Sequence, residues 1–133
     1  MSQDLKTLFT GKVTVVGDVM LDSYWKGPSS RISPEAPVQV VDIQKESTVL
    51  GGAGNVVNNL LSLGAKVSVL SVVGNDENGK ALLKMLQDLG ADAQNIVIQE
   101  GRKTSKKSRV IASHQQVVRY DSESREDITP LCE

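Results

Sequence analysis

Aromatic side chains are almost missing from this 133-residue chain: one Trp, two Tyr and one Phe make up 3% of it. A core must be packed from Val, Leu, Ile and Ala, and there is too little ring surface to stack the bases of single-stranded nucleic acid. Cysteine is scarcer still. Cys132 stands alone near the C-terminus, and one thiol makes no internal disulfide. His114 is the single histidine, which excludes a Cys/His zinc site; an Asp/Glu magnesium site stays open, and no residue is assigned to a metal. Charge of one sign is lacking too. Fifteen basic residues meet sixteen acidic ones, so no overall field draws the chain onto DNA or an anionic membrane. No apolar window reaches the ~18 residues of a membrane span. "MSQDLKTLF" carries an acidic residue and no long apolar run, unlike a secretory signal. These absences predict a reduced, cytoplasmic, soluble protein without nucleic-acid or membrane partners.

What is there suits one globular domain, with 39% apolar and 23% charged residues. "KVTVVGD" (12–18) is a β-branched run ending in Gly-Asp and predicts a buried strand. Met20 to Pro37 holds three prolines and mixed polarity, which predicts loop or short irregular strands. "VQVVDIQKEST" (38–48) alternates as a one-faced strand would. Val56, Val57, Leu60, Leu61 and Leu63 sit at helical spacing before Gly64, and Ala81, Leu82, Met85, Leu86 and Leu89 do so before Gly90. "KVSVLSVVG" and "NIVI" are further buried strands. Alternating strands and helices predict an α/β fold with a parallel sheet. The tail differs: "SKKSRVIASHQQVVRYD" predicts a β-hairpin turning near Ser113–His114, which with the early extended segments can form a small separate sheet. A helix start is expected at Thr129–Pro130.

Four motifs invite a chemical reading. "GNDENGKA" (74–81) nearly spells a phosphate loop, but Ala81 replaces the metal-binding hydroxyl and Asp76 and Glu77 set negative charge where phosphates would lie. A strand–helix turn capped by Asn75 or Asp76 accounts for it. "GGAG" (51–54) is no dinucleotide fingerprint; it is a backbone able to approach a ligand at a helix start, beside Asn55 with its donor and acceptor. A purely structural turn fits the glycines equally. Asp18 and Asp22 follow a buried strand, where α/β folds display site residues, and two carboxylates can accept from the hydroxyls of a polyol. Turn and cap roles remain the plain alternative for them. Asp18 and Asn55 are expected to face one cavity. "RKTSKKSR" (102–109) has five basic residues in eight; as a strand it puts Lys107 and Arg109 on one face, able to grip a phosphate, or it is a solvated edge strand resisting aggregation.

Taken together, "VVGDVMLDSYWKGPSSRISPEAPVQVV", "GGAGNVVNNLLSLGA" and "RVIASHQQVVRYD" resemble the N-terminal part of a ribokinase-like carbohydrate kinase, from about Val13 to Asp121. Within that family the chain is most similar to the heptose 7-phosphate kinases of ADP-heptose synthesis. The resemblance implies ATP- and Mg2+-dependent phosphorylation of D-glycero-D-manno-heptose 7-phosphate at its anomeric hydroxyl, feeding lipopolysaccharide core assembly. It implies sheet and helices over about 12–100 and lid strands over about 20–48 and 104–121, the lid doubling as a homodimer interface. By position, Asp18, Asp22, Gly51, Gly52 and Asn55 would hold sugar hydroxyls, and Lys107, Arg109, Gln116 and Arg119 would close over the sugar phosphate. The family's catalytic Asp and nucleotide pocket belong to a C-terminal half that the chain does not reach, so no catalytic residue is assigned and no turnover is expected of the chain alone. Another sugar or nucleoside kinase of the same superfamily, or a non-catalytic sugar-phosphate-binding or dimerisation module, are the alternatives.

Overall fold

The computed structural model describes residues 10–128. Its elements run β1 (Lys12–Val16), β2 (Val19–Gly27), β3 (Ser29–Ile32), β4 (Gln39–Val41), β5 (Lys45–Gly52), α1 (Ala53–Ser62), β6 (Lys66–Gly74), α2 (Glu77–Asp88), β7 (Ile96–Gln99), β8 (Lys106–Ala112) and β9 (Gln115–Ser122). The expected Thr129–Pro130 helix start and Cys132 lie outside the described residues.

Strands β1, β6 and β7 pair in parallel in that order. Val67, Val69 and Val73 project from β6 into a core with Val57 of α1 and Leu82 and Leu86 of α2. Such pairing buries strands under helices and explains the near-continuous apolar runs. The α/β class read from the sequence is the observed one. The helical stripes are narrower than their sequence suggests: Val57, Leu82 and Leu86 are fully buried, whereas Val56, Leu63 and Leu89 stay exposed. Among the described residues no helix is long and apolar enough to cross a membrane.

Both helices end as their glycines dictate. Gly64 and Gly90 adopt φ of 95° and 86°. The next amides, of Ala65 and Ala91, reach back to the carbonyls of Leu60 and Leu86 at 3.1 and 3.0 Å. A Cβ at position 90 would meet nothing within 4 Å, so only backbone strain opposes it. Gly90→Ala is therefore expected to cost about 1 kcal/mol, read as a lower urea midpoint with an unchanged slope.

The second sheet runs β5-β2-β8-β9. Here two expectations are corrected. Residues 20–37, read as loop or short irregular strands, contain all but the first residue of the nine-residue interior strand β2. Its inward positions are Val19, Leu21 and Ser23, and the serine hid the period of two. The buried Ser23 hydroxyl is satisfied by Thr48 Oγ1 at 2.8 Å. Residues 38–48, expected as one strand, split into β4, which pairs with β3, and β5, which pairs with β2. The change of partner happens at Asp42–Gln44, whose end amides bond to the carbonyls of Pro28 and Lys26 at 2.9 Å. The hairpin β8–β9 is as expected, with Ser113 at φ 56° in its turn.

Candidate functional site

Register decides which side chains meet. Asp22 of β2 stands opposite Val49 of β5 and Lys107 of β8, and Tyr24 stands opposite Ser47 and Arg109. On β9, Arg119 and Asp121 lie across from Arg109 and Lys107. Paired positions share a face, so one side of the sheet carries Asp22, Tyr24, Lys107, Arg109, Arg119 and Asp121. The other side is closed by Leu21, Ser23, Leu50 and Ser108.

On the polar side, Arg109 Nη1 donates to Asp22 Oδ1 at 2.7 Å, and the two side chains are only 20% and 18% exposed. The same guanidinium lies 5.3 Å from the centre of the Tyr24 ring. Arg119 forks onto Asp121 through Nε and Nη2 at 2.9 and 2.7 Å. That hydrogen bonding from Arg119 holds the Asp121 carboxyl below its ordinary range, against slight desolvation and with help from the charges of Arg119, Lys107 and Arg109. The Arg119 guanidinium is pushed up by the same bond. Among the described residues Lys107 forms no ion pair. The face thus offers a carboxylate that can accept hydroxyls beside cations that can receive an anion.

The glycines of "GGAG" serve the chain's own packing first. A Cβ at position 51 would collide with the Asp22 carboxylate. Gly52 is the N-cap of α1 at φ 55°, ψ −131°, with no side-chain cap bond. A Cβ there would stand 2.5 Å from the Asp18 carbonyl, which accepts the Ala53 N–H at 2.9 Å. Both glycines therefore let the end of β5 close against residues 18–22 and bring the first turn of α1 beside them.

Asp22, Gly51, Lys107, Arg109 and Arg119 are brought together; other expected residues are not. Asp18 lines a hollow at the carboxyl end of β1 with Leu70, Ser71, Val97 and Arg102. Asn55 lines a different one with Thr48, Asn58, Met85 and Asp88, because its side of α1 looks toward α2. The cavity expected to hold both is two separate hollows. Gln116 lies at the turn end of the hairpin in a third, with Val38, Gln39 and Val118. The sequence reading passed over Tyr24 and Asp121. Each sits two residues from an expected site residue, a spacing that points to the same face once the segment is known to be a strand.

The near-phosphate loop is the strand–helix turn that the sequence predicted. Asp76 caps α2, its Oδ1 accepting the Gly79 N–H at 2.7 Å. The Gly74 N–H donates to Thr104 Oγ1 at 2.9 Å. With these amides occupied and a carboxylate inside the turn, it does not fit a nucleotide phosphate. The described residues also contain no group of three or more His, Cys, Asp or Glu able to hold a metal.

A helix-backed parallel sheet joined to a second sheet with a charged face, next to a glycine-led helix, is the architecture shared with solved ribokinase-like proteins. The chain belongs to the pfkB family of carbohydrate kinases, which it matches over residues 10–133. It is 66% identical over 121 residues to the bifunctional protein HldE of Sulfurimonas denitrificans, covering 91% of this chain and 25% of that one. With the HldE of Campylobacter curvus the identity is 64% over 113 residues, 85% of this chain and 24% of the other. The chain spans about a quarter of the length of these curated relatives. Arabidopsis thaliana ribokinase, solved with ribose and ATP, shares the fold at a TM-score of 0.67 and 17% identity, over 86% of this chain and 36% of that one. The nucleoside kinase of Methanocaldococcus jannaschii does so at 0.62 and 23%, over 84% and 36%.

Proposed function

We propose that this chain carries the sugar-binding part of a kinase that phosphorylates D-glycero-D-manno-heptose 7-phosphate at its anomeric hydroxyl, in the synthesis of ADP-heptose for lipopolysaccharide core. One observation carries the reading: the Asp22–Arg109 pair with Lys107 on a single sheet face, reached from the glycine-led start of α1. The strong likeness to proteins named HldE supports the same reading. In it, the Asp22 carboxylate accepts sugar hydroxyls; Asp18 and Asn55, which line separate hollows, are left out of it. Lys107, Arg109 and Arg119 receive the 7-phosphate. Gly51 and Gly52 keep the floor free of side chains.

ATP, acting with Mg2+, would supply the transferred phosphoryl group, and the residues described here take no part in holding it. The working protein is a cytoplasmic homodimer joined through the β8–β9 hairpin, whose edge strand exposes Val117, Val118 and Tyr120. Calorimetric titration of the 133-residue chain with heptose 7-phosphate tests this. Binding by the wild type and its weakening by about tenfold in Asp22→Asn support the reading; binding of ribose or a nucleoside in preference would assign another substrate of the superfamily. A coupled assay is expected to show no ATP consumption by the chain alone; sugar-dependent consumption would overturn that part.

A further inference from the structure

The turn at residues 74–81 takes no part in the proposed sugar site, yet it holds a dense polar cluster. Both carboxylate oxygens of Asp76 reach the segment entering β8. Oδ2 accepts the Thr104 N–H at 2.9 Å, and Oδ1 accepts the Thr104 hydroxyl at 2.6 Å. Thr104 is 2% exposed, and its hydroxyl oxygen accepts the Gly74 N–H. Two glycines make the junction possible: a Cβ at 74 would strike the Arg102 carbonyl, and one at 79 would strike that of Gly74. One residue beyond Thr104, the Ser105 carbonyl accepts the Leu21 N–H at 2.9 Å. From there β8 runs parallel to β2, Asp22 beside Lys107 and Tyr24 beside Arg109.

A parallel strand has no hairpin turn joining it to its partner, so nothing local fixes its register. A slip by one residue turns every side chain to the opposite face. In β8 that slip would drive Lys107 and Arg109 in among Leu21 and Ser23 and bring Ser108 out beside Asp22. Charges without partners are costly to bury, but the sequence "KKSR" carries cations at both parities and by itself chooses weakly. The pin must come from outside the strand. We infer that Asp76 is a positioning residue: by gripping Thr104 it sets the register of β8 and so stands Lys107 and Arg109 on the face of Asp22. Its value to function rests on the reading of that face as the sugar-phosphate site, while the pin itself does not.

Hydrogen–deuterium exchange on the 133-residue chain tests it without any ligand. Asp76→Asn keeps an acceptor for the Gly79 N–H but turns an amide nitrogen on the Thr104 N–H; Thr104→Val removes the hydroxyl and leaves the helix cap untouched. Both are expected to speed exchange about tenfold over β8 and β9, leaving β1, β6 before Gly74 and the first turn of α2 within about twofold of wild type; the Gly74 amide itself, which donates to the Thr104 hydroxyl, is left out of the comparison. Thr104→Ser, which restores the hydroxyl, is expected to return β8 to wild-type protection. Unchanged β8 amides, acceleration confined to the first turn of α2, or equal acceleration in β6 and β8 would each overturn the proposal. Faster β8 exchange with unaltered heptose 7-phosphate affinity would count against the sugar site and leave the pin standing.

Discussion

Asp76→Ala is expected to destabilise the chain by about 3 kcal/mol, from the loss of a helix cap at ~1–2 kcal/mol and of acceptors for two Thr104 donors at ~1–3 kcal/mol each, taken at the low end because Asp76 is only half-buried. The wild-type carboxylate receives the Gly79 N–H, the Thr104 N–H and the Thr104 hydroxyl. Thr104 is buried and gains no water in exchange. Against a typical stability of ~5–15 kcal/mol the loss is large, a fall in melting temperature of roughly 10 °C. It also depends on pH. Desolvation works to raise the Asp76 pKa, and the hydrogen bonds from Thr104 and Gly79 outweigh it, holding the carboxyl below its ordinary value of 3.8. A group depressed on folding stabilises fully above its unfolded value and loses that contribution as pH falls through the folded one. Urea titrations should therefore show the full gap between wild type and Asp76→Ala at neutral pH. The gap should narrow once pH drops below 3.8, because only the wild type is losing a charged partner. A gap that is constant over that range would remove the carboxylate from the account.

The parallel layer was legible because each of its elements carries its own period. "KVSVLSVVG" sets Val67, Val69 and Val73 at alternate inward positions, as a strand under helices does, and Leu82 and Leu86 sit four apart on the buried side of α2. Strand β2 was not legible, since Ser23 stands at an inward position and owes its place to a hydroxyl on β5. Half of the site followed from alternation alone: Lys107 and Arg109 share a face in any strand. The other half needed register. Asp18 and Asp22 look equivalent in sequence, yet Asp18 precedes the first residue of β2 and Asp22 lies within its ladder. Asp76 was readable as a cap from local spacing; its bonds to Thr104, 28 residues away, come only from the fold.

Arg109→Met is expected to erase most of the discrimination between heptose 7-phosphate and unphosphorylated heptose. Arg109 is held in place before any ligand arrives, by Asp22 at 2.7 Å and by the Tyr24 ring, so little side-chain ordering opposes its use. Two charge-assisted hydrogen bonds to a phosphate at ~1.5 kcal/mol each give about a 100-fold preference. Removing the guanidinium should erase most of that preference while the affinity for the unphosphorylated sugar barely moves, because Asp22 still accepts hydroxyls. Asp22→Asn should behave in the opposite way, weakening both ligands alike by about tenfold, since it replaces a charged hydroxyl acceptor by a neutral amide and leaves the guanidinium present. Competition calorimetry with the two sugars on the two variants separates the roles. Equal weakening of both sugars by Arg109→Met would shift the phosphate to Lys107 and Arg119 and leave Arg109 as a brace for Asp22. The two results are opposed because the guanidinium only donates and so favours the phosphate, whereas the carboxylate only accepts and so serves the hydroxyls that both sugars share.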